Sequence, residues 1–151
     1  MKVLDLQTGN IIFLIHFAAT LMMVGIIWFV QIVHYPLFGK VGGDKFREYE
    51  KLHTQQTGRI VGPLMILELF SGVILLWLRP VNVPVTALWA GLILLLIIWA
   101  STFFIQVPLH RQLIKGFDKQ AHRRLLQTNW VRTIAWSLRG IVLFWGLVAR
   151  N

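Results

Sequence analysis

Three ionisable residues stand deep inside long apolar stretches of this chain: His16, Glu68 and Arg139. An Asp, Lys or Arg at a membrane-helix centre costs about 2.5–3.5 kcal/mol on insertion scales, and a Glu is of the same order, so such groups persist when they find partners. Glu68 and Arg139 are therefore expected to form an ion pair, with His16 in hydrogen-bonding reach. The trio is the candidate catalytic group, and it would serve equally well as a lock between helices. A second set lies nearer the turns and comprises Gln31, His34, His53, Arg59, Gln106, Asn129 and Arg132, with Glu50 and His110 closer to water. Guanidinium groups beside amides and imidazoles suit a carboxylate or phosphate. Gln31, Arg59, Gln106, Asn129 and Arg132 are accordingly candidate substrate-binding residues.

Cysteine is absent, which excludes disulfides, iron–sulfur ligation and thiolate chemistry. A metal or haem would have to use His, Met, Tyr or carboxylate ligands. His16, His34 and His53 are the candidate cofactor ligands. His16 and His34 share a helix face but lie roughly 27 Å apart at 1.5 Å per residue, too far to hold one iron together. No His-x-x-x-His pair occurs, and no particular metal is indicated. His122 is expected on an exposed helix face.

The elements that must carry these residues are four helices. Of 151 residues, 56% are hydrophobic and 14% charged, and the mean hydropathy is +0.66; a soluble domain carries about 25% charged residues. Apolar stretches at Ile11–Phe38, Ile60–Leu78, Val85–Pro108 and Val131–Ala149 each approach the 20 or so residues that cross a bilayer core. The expected fold is all-α, a single membrane domain over 1–151, with helices at about 10–38, 44–78, 85–113 and 118–149. Gly39, Gly42 and Gly43 make the first turn, with Asp44 the expected N-cap of the second helix and Pro63 a kink within it. Asp118 should cap the fourth.

The two hairpins read as repeats: Pro36-Leu37 recurs as Pro108-Leu109, Asp44-Lys45 as Asp118-Lys119, Thr54 as Thr128 and Arg59 as Arg132. Two pseudo-repeated helical hairpins would form a four-transmembrane-helix bundle about an axis along the membrane normal. Folding the first hairpin about Gly42 sets His34 level with Glu50, and His16 level with Glu68. Folding the second about Gly116 pairs His110 with His122 and sets Gln106 beside Leu126 and Gln127. Trp77, Trp89 and Trp145 suit lipid-facing or interfacial positions.

The net charge of +9 is distributed unevenly. The first hairpin carries Lys40, Lys45, Arg47, Lys51 and Arg59, and the second carries Arg111, Lys115, Lys119, Arg123, Arg124 and Arg132; the opposite side has Lys2, Arg79 and Arg150. By the positive-inside rule the hairpin loops face the cytoplasm and both termini lie outside. The expected location is a bacterial-type cytoplasmic (inner) membrane, multi-pass. The bilayer is the expected partner, with a homo-oligomer or a larger membrane complex as the candidate assembly. No nucleic-acid-binding motif accompanies the charge.

The run from His16 to Tyr35, followed by Phe46-x-x-x-Glu50 and Pro63-x-Met65, resembles the HemJ-type protoporphyrinogen oxidases and the related copper-resistance membrane proteins. Asn129-Trp130-Val131-Arg132-Thr133 resembles the close of the anthrone-oxygenase-like four-helix family. The first resemblance implies His16 as a haem ligand and a redox role on a porphyrin or other polycyclic substrate, whose carboxylates Arg59 and Arg132 would meet. Three functions stay open: a haem- or metal-dependent oxidoreductase with a polar cavity opening to the cytoplasm, a structural or assembly subunit of a membrane complex, and a carrier for a small anionic solute.

Overall fold

The computed structural model describes residues 2–80 and 83–149, with side chains from Leu6 onward. The side chain of Lys2 and all of Arg150, both assigned above to the outer side, lie outside the described residues. The first helix runs over Lys2–Phe29, widens into a π-helical segment at Val30–His34, and ends as α-helix at Tyr35–Phe38. The second spans Gly43–Ile74. The third spans Val85–Ser101, a π-helical segment at Thr102–Gln106, and Val107–Leu113. The fourth spans Lys119–Val148. Among the described residues there is no strand.

Four helices are thus long and apolar enough to cross a membrane: Leu6–Phe38, Gly43–Ile74, Val85–Leu113 and Lys119–Val148. Their outward faces remain apolar. Phe104 is 81% exposed and Trp77 74%, and Ile11, Phe70, Trp89, Ile141 and Trp145 also point outward. An uncovered apolar surface of this extent is the composition that lipid solvates. The interior is built from Met23, Ile27, Tyr35, Phe38, Phe46, Met65, Ile98, Leu125 and Trp136. A smaller cluster of Phe13, Leu75, Leu88 and Leu143 fills the opposite end.

Both π segments have the same local cause. Proline has no N–H, and its ring crowds the carbonyl four residues earlier. Pro36 and Pro108 each follow such a segment, and the preceding amides reach back five residues: Tyr35 N–H to the Val30 carbonyl, Val107 N–H to that of Thr102. Widening the turn relieves the clash without ending the helix.

Several local expectations shift. The second helix is capped by Gly42 and starts at Gly43, so Asp44 lies in its first turn rather than at its cap; there it still complements the positive helix end. That helix continues through Pro63 to Ile74, short of the expected Leu78, and the chain completes helical turns through Leu78. The first helix starts well before Asn10. Asp118 caps the fourth helix as expected, accepting from the Gln120 and Ala121 amides at 2.7 and 3.0 Å. Gly116, with φ of 150°, supplies the backbone conformation that closes the second hairpin.

The two hairpin loops meet at one end of the bundle. Arg47 donates to the Lys115 carbonyl at 2.9 Å, and Phe46 meets Phe117 edge-on with ring centres 4.9 Å apart. The register of the first hairpin also differs from simple folding about Gly42. His34 meets His53, and His16 meets Ser71; in each case the partner lies three residues beyond the one expected.

Candidate functional site

The deep layer is a closed network. Arg139 and Glu68 form an ion pair with both side chains fully buried, bringing together the two charges picked out in the sequence. Arg139 also donates to Thr20 Oγ1 at 2.9 Å, to His16 Nε2 at 2.8 Å, and from Nε to the Gly91 carbonyl at 3.1 Å. Glu68 accepts further from Thr20 at 2.9 Å and from Trp136 Nε1 at 3.2 Å. A guanidinium can only donate, so His16 Nε2 must be the acceptor. The ring proton then sits on Nδ1 and is given to Ser71 Oγ at 2.6 Å, whose own hydrogen goes to the Leu67 carbonyl. Gly72 permits this approach, since a Cβ there would stand 3.0 Å from the His16 ring.

Both nitrogens of His16 are therefore occupied. The space between His16, Gly72, Leu95 and Arg139 holds no water-sized volume. An axial haem ligand needs a free nitrogen facing open space, and His16 offers neither. The deep layer does not fit haem.

The layer nearer the loops is different. Glu50, fully buried on the second helix, accepts from His110 Nδ1 at 2.5 Å. His110 Nε2 lies 2.9 Å from the Tyr35 hydroxyl, and Arg132 of the fourth helix lines the same cavity as Tyr35. His34 Nε2 meets His53 Nδ1 at 2.8 Å, with Thr57 Oγ1 at 3.1 Å from the same atom. Gln31 donates to the Leu126 carbonyl and accepts from Asn129 Nδ2 at 2.9 Å. Gln106 accepts from Ser101 at 2.9 Å and donates to Thr128 at 3.3 Å.

Beside this cluster lies a cavity of about 250 Å³. Its walls are apolar, with Met23, Ile26, Ile27 and Val61 among them, while Tyr35, His53, Gln106, His110 and Arg132 supply the polar side. Arg132 is 6% exposed, stacks over Trp136 at 5.2 Å, and has no acidic partner among the described residues. Its Nε has no hydrogen-bond partner, and neither does Glu50 Oε2 or Asn129 Oδ1. Buried polar atoms are nearly always satisfied, so the orphaned Arg132 Nε, on a residue of the cavity wall, marks a place prepared for something polar.

Of the residues singled out in the sequence, His53, Gln106 and Arg132 line this cavity. Gln31 and Asn129 bond each other next to it. Arg59 does not join Arg132. It is exposed on the outer side of the second helix, donates to Gln56 at 3.3 Å, and borders an open groove with His34. The register explains this, since helical spacing directs Arg59 away from the side that carries His53 and Thr57. His110 does not pair with His122; it turns to Glu50 and Tyr35. His122 is only half-exposed, and its Nε2 meets the Tyr35 carbonyl at 2.8 Å.

Sequence reading underweighted Tyr35, Glu50 and His110. One signal was available: Glu50 and His53 stand three residues apart on one helix, the carboxylate–imidazole spacing that metal-binding bundles use. The third member, His110, comes from a separate helix, and no local pattern announces it.

Comparison with protein-family models, curated proteins and solved structures found no match.

Proposed function

We propose that this chain is a multi-pass integral membrane protein that binds a small lipid-soluble molecule with an oxyanion or carbonyl head, and acts on it as an oxidoreductase. The observation that carries this reading is Arg132, a buried guanidinium without an acidic partner on the polar side of a largely apolar cavity, whose wall also includes Arg111. An apolar body would lie along Ile26, Ile27 and Val61, with the head at Arg132. The volume, about 250 Å³, lies just under the range of about 300–1,000 Å³ for ligand pockets. It suits a one- or two-ring molecule rather than a porphyrin.

Proton movement supports the redox assignment. Tyr35, His110 and Glu50 form a continuous hydrogen-bonded line, along which a phenolic proton can pass to an imidazole whose charge the carboxylate stabilises. It is the proton path that oxidation of a phenol or quinol head would use, the electrons passing to a separate acceptor such as dioxygen. The surrounding frame of the proposal is an inner membrane, termini outside, and two related hairpins. Basic loops support the first two points. The hairpin relation is supported by two π segments, each two residues ahead of a proline.

Binding of naphthoate, followed by intrinsic tryptophan fluorescence in mild detergent, tests the reading. A charge-assisted hydrogen bond contributes roughly 1.5–3 kcal/mol. Arg132→Gln should therefore weaken binding by about ten- to a hundredfold, and Arg59→Gln should leave it unchanged. Equal affinity in wild type and Arg132→Gln would remove the cavity as the site.

A structural or assembly subunit is the second reading. It is supported by the deep network, which joins the first, second, third and fourth helices with no room beside it. The same packing weighs against an anion carrier, because such a carrier needs a wet path past Arg139.

A further inference from the structure

We propose that Glu50, His53 and His110 form a mononuclear site for a divalent transition metal, zinc or iron(II), bordering the cavity. The inference goes beyond the organic ligand proposed above and does not depend on it. One ligand atom from each of the three side chains falls within 4.8 Å of the others. Two imidazoles and one carboxylate are the donor set of catalytic zinc sites and of non-haem iron(II) sites, both of which keep coordination positions open.

Three independent features of the cluster point to an ion rather than to a simple hydrogen-bonded pair. First, Glu50 is fully buried and its Oε2 has no partner. Its single bond to His110 uses only Oε1. Half of a buried carboxylate is left unsatisfied, which is costly unless a cation or donor completes it. Second, the outer partners are those that metal-bound imidazoles require. A ligating histidine almost always gives its other ring nitrogen to a hydrogen bond. His53 has Nδ1 engaged by His34 and Thr57, leaving Nε2 for a metal. His110 has Nε2 engaged by Tyr35, leaving Nδ1, the atom that faces Glu50. Third, the ring spacing fits. Two imidazoles on one tetrahedral metal at about 2.1 Å hold their ring centres roughly 5 Å apart, and those of His53 and His110 are 5.4 Å apart.

Only one Glu-x-x-His pair is present, and among the described residues no second carboxylate joins the cluster. Two-metal bundles use a repeated pair plus further glutamates, so the site takes one ion. A metal would replace the proton between Glu50 and His110 and draw those two atoms slightly apart, so the proton line from Tyr35 through His110 to Glu50 belongs to the metal-free state. Both imidazoles also line the cavity, so the open positions would face a bound molecule.

The test uses the full chain in mild detergent, stripped with a chelator and titrated with Co²⁺ as an optical probe. The expected result is one equivalent bound per chain, with ligand-field bands, and competition by Zn²⁺. Glu50→Gln, His53→Ala and His110→Ala should each weaken binding at least tenfold, and His122→Ala should not. Should a variant fail to fold, the wild type still decides the matter. Its cobalt form should show paramagnetically shifted proton signals from two imidazoles. Absence of Co²⁺ binding, shifted signals from fewer than two histidines, or unchanged affinity in the folded variants would overturn the site. Loss of naphthoate binding in Arg132→Gln with cobalt binding retained would leave it standing.

Discussion

Arg139 directs its donors to four partners on the three other helices: Glu68, Thr20, His16 and the Gly91 carbonyl. Removing a member of a buried pair leaves the other charge uncompensated, which costs about 3–5 kcal/mol. Arg139→Gln is expected to destabilise the detergent-solubilised protein by that order, with Glu68→Gln similar. The double variant should be less impaired than the sum of the two, because it leaves no stranded charge. Thermal or denaturant unfolding of the four proteins measures the coupling. Strict additivity would mean that the two charges do not act as a pair. At Arg132 the logic is reversed. No carboxylate stands beside it among the described residues, and the face of the Trp136 ring supplies partial compensation. Truncation there should cost ligand binding more than stability.

Helix ends and helix irregularities set where these side chains fall. Asp118 receives two backbone amides of the fourth helix, and those bonds hold its carboxyl below the usual carboxylate range, with Gln112 and Arg124 adding to the effect. Since the folded-state value is depressed, the cap's contribution is present above the unfolded value, near pH 4, and is lost as pH falls through the folded one. Protection of the Gln120 and Ala121 amides relative to their intrinsic exchange rates should therefore fall below about pH 4, and should be low at neutral pH in Asp118→Ala. Unchanged protection in that variant would show that the cap is irrelevant. This cap was legible in the sequence, because Asp before a helical run has a local cause. So were the four helices and the meeting of His16, Glu68 and Arg139, since each follows from apolar length and from the expense of an isolated charge in lipid. The cluster nearer the loops was read less well. Its members come from separate helices whose mutual register is not visible in residue spacing, and His110 on the third helix meets Glu50 on the second. Arg59 was misplaced for a related reason: its correspondence with Arg132 in the repeat says nothing about which side of a helix faces inward.

At the scale of the whole molecule, length decides which part meets water. The four apolar helices have 33, 32, 29 and 30 residues, or roughly 43–50 Å at 1.5 Å per residue. A bilayer core is about 30 Å thick, so a substantial part of each helix must stand beyond it. The polar first half of the second helix, with Lys45, Arg47 and Lys51 exposed, identifies the protruding end as the one carrying both hairpin loops. The cavity and the Glu50–His53–His110 cluster lie toward that end, where a lipid-soluble molecule and an aqueous ion can both arrive. The absence of cysteine makes the orientation directly measurable. Single cysteines at Lys40 and Lys115 should react with an impermeant maleimide only from the cytoplasmic side of sealed vesicles, and one at Arg79 only from the other. Labelling of Arg79→Cys from the cytoplasmic face would invert the topology and place the basic loops, and the cavity with them, outside the cell.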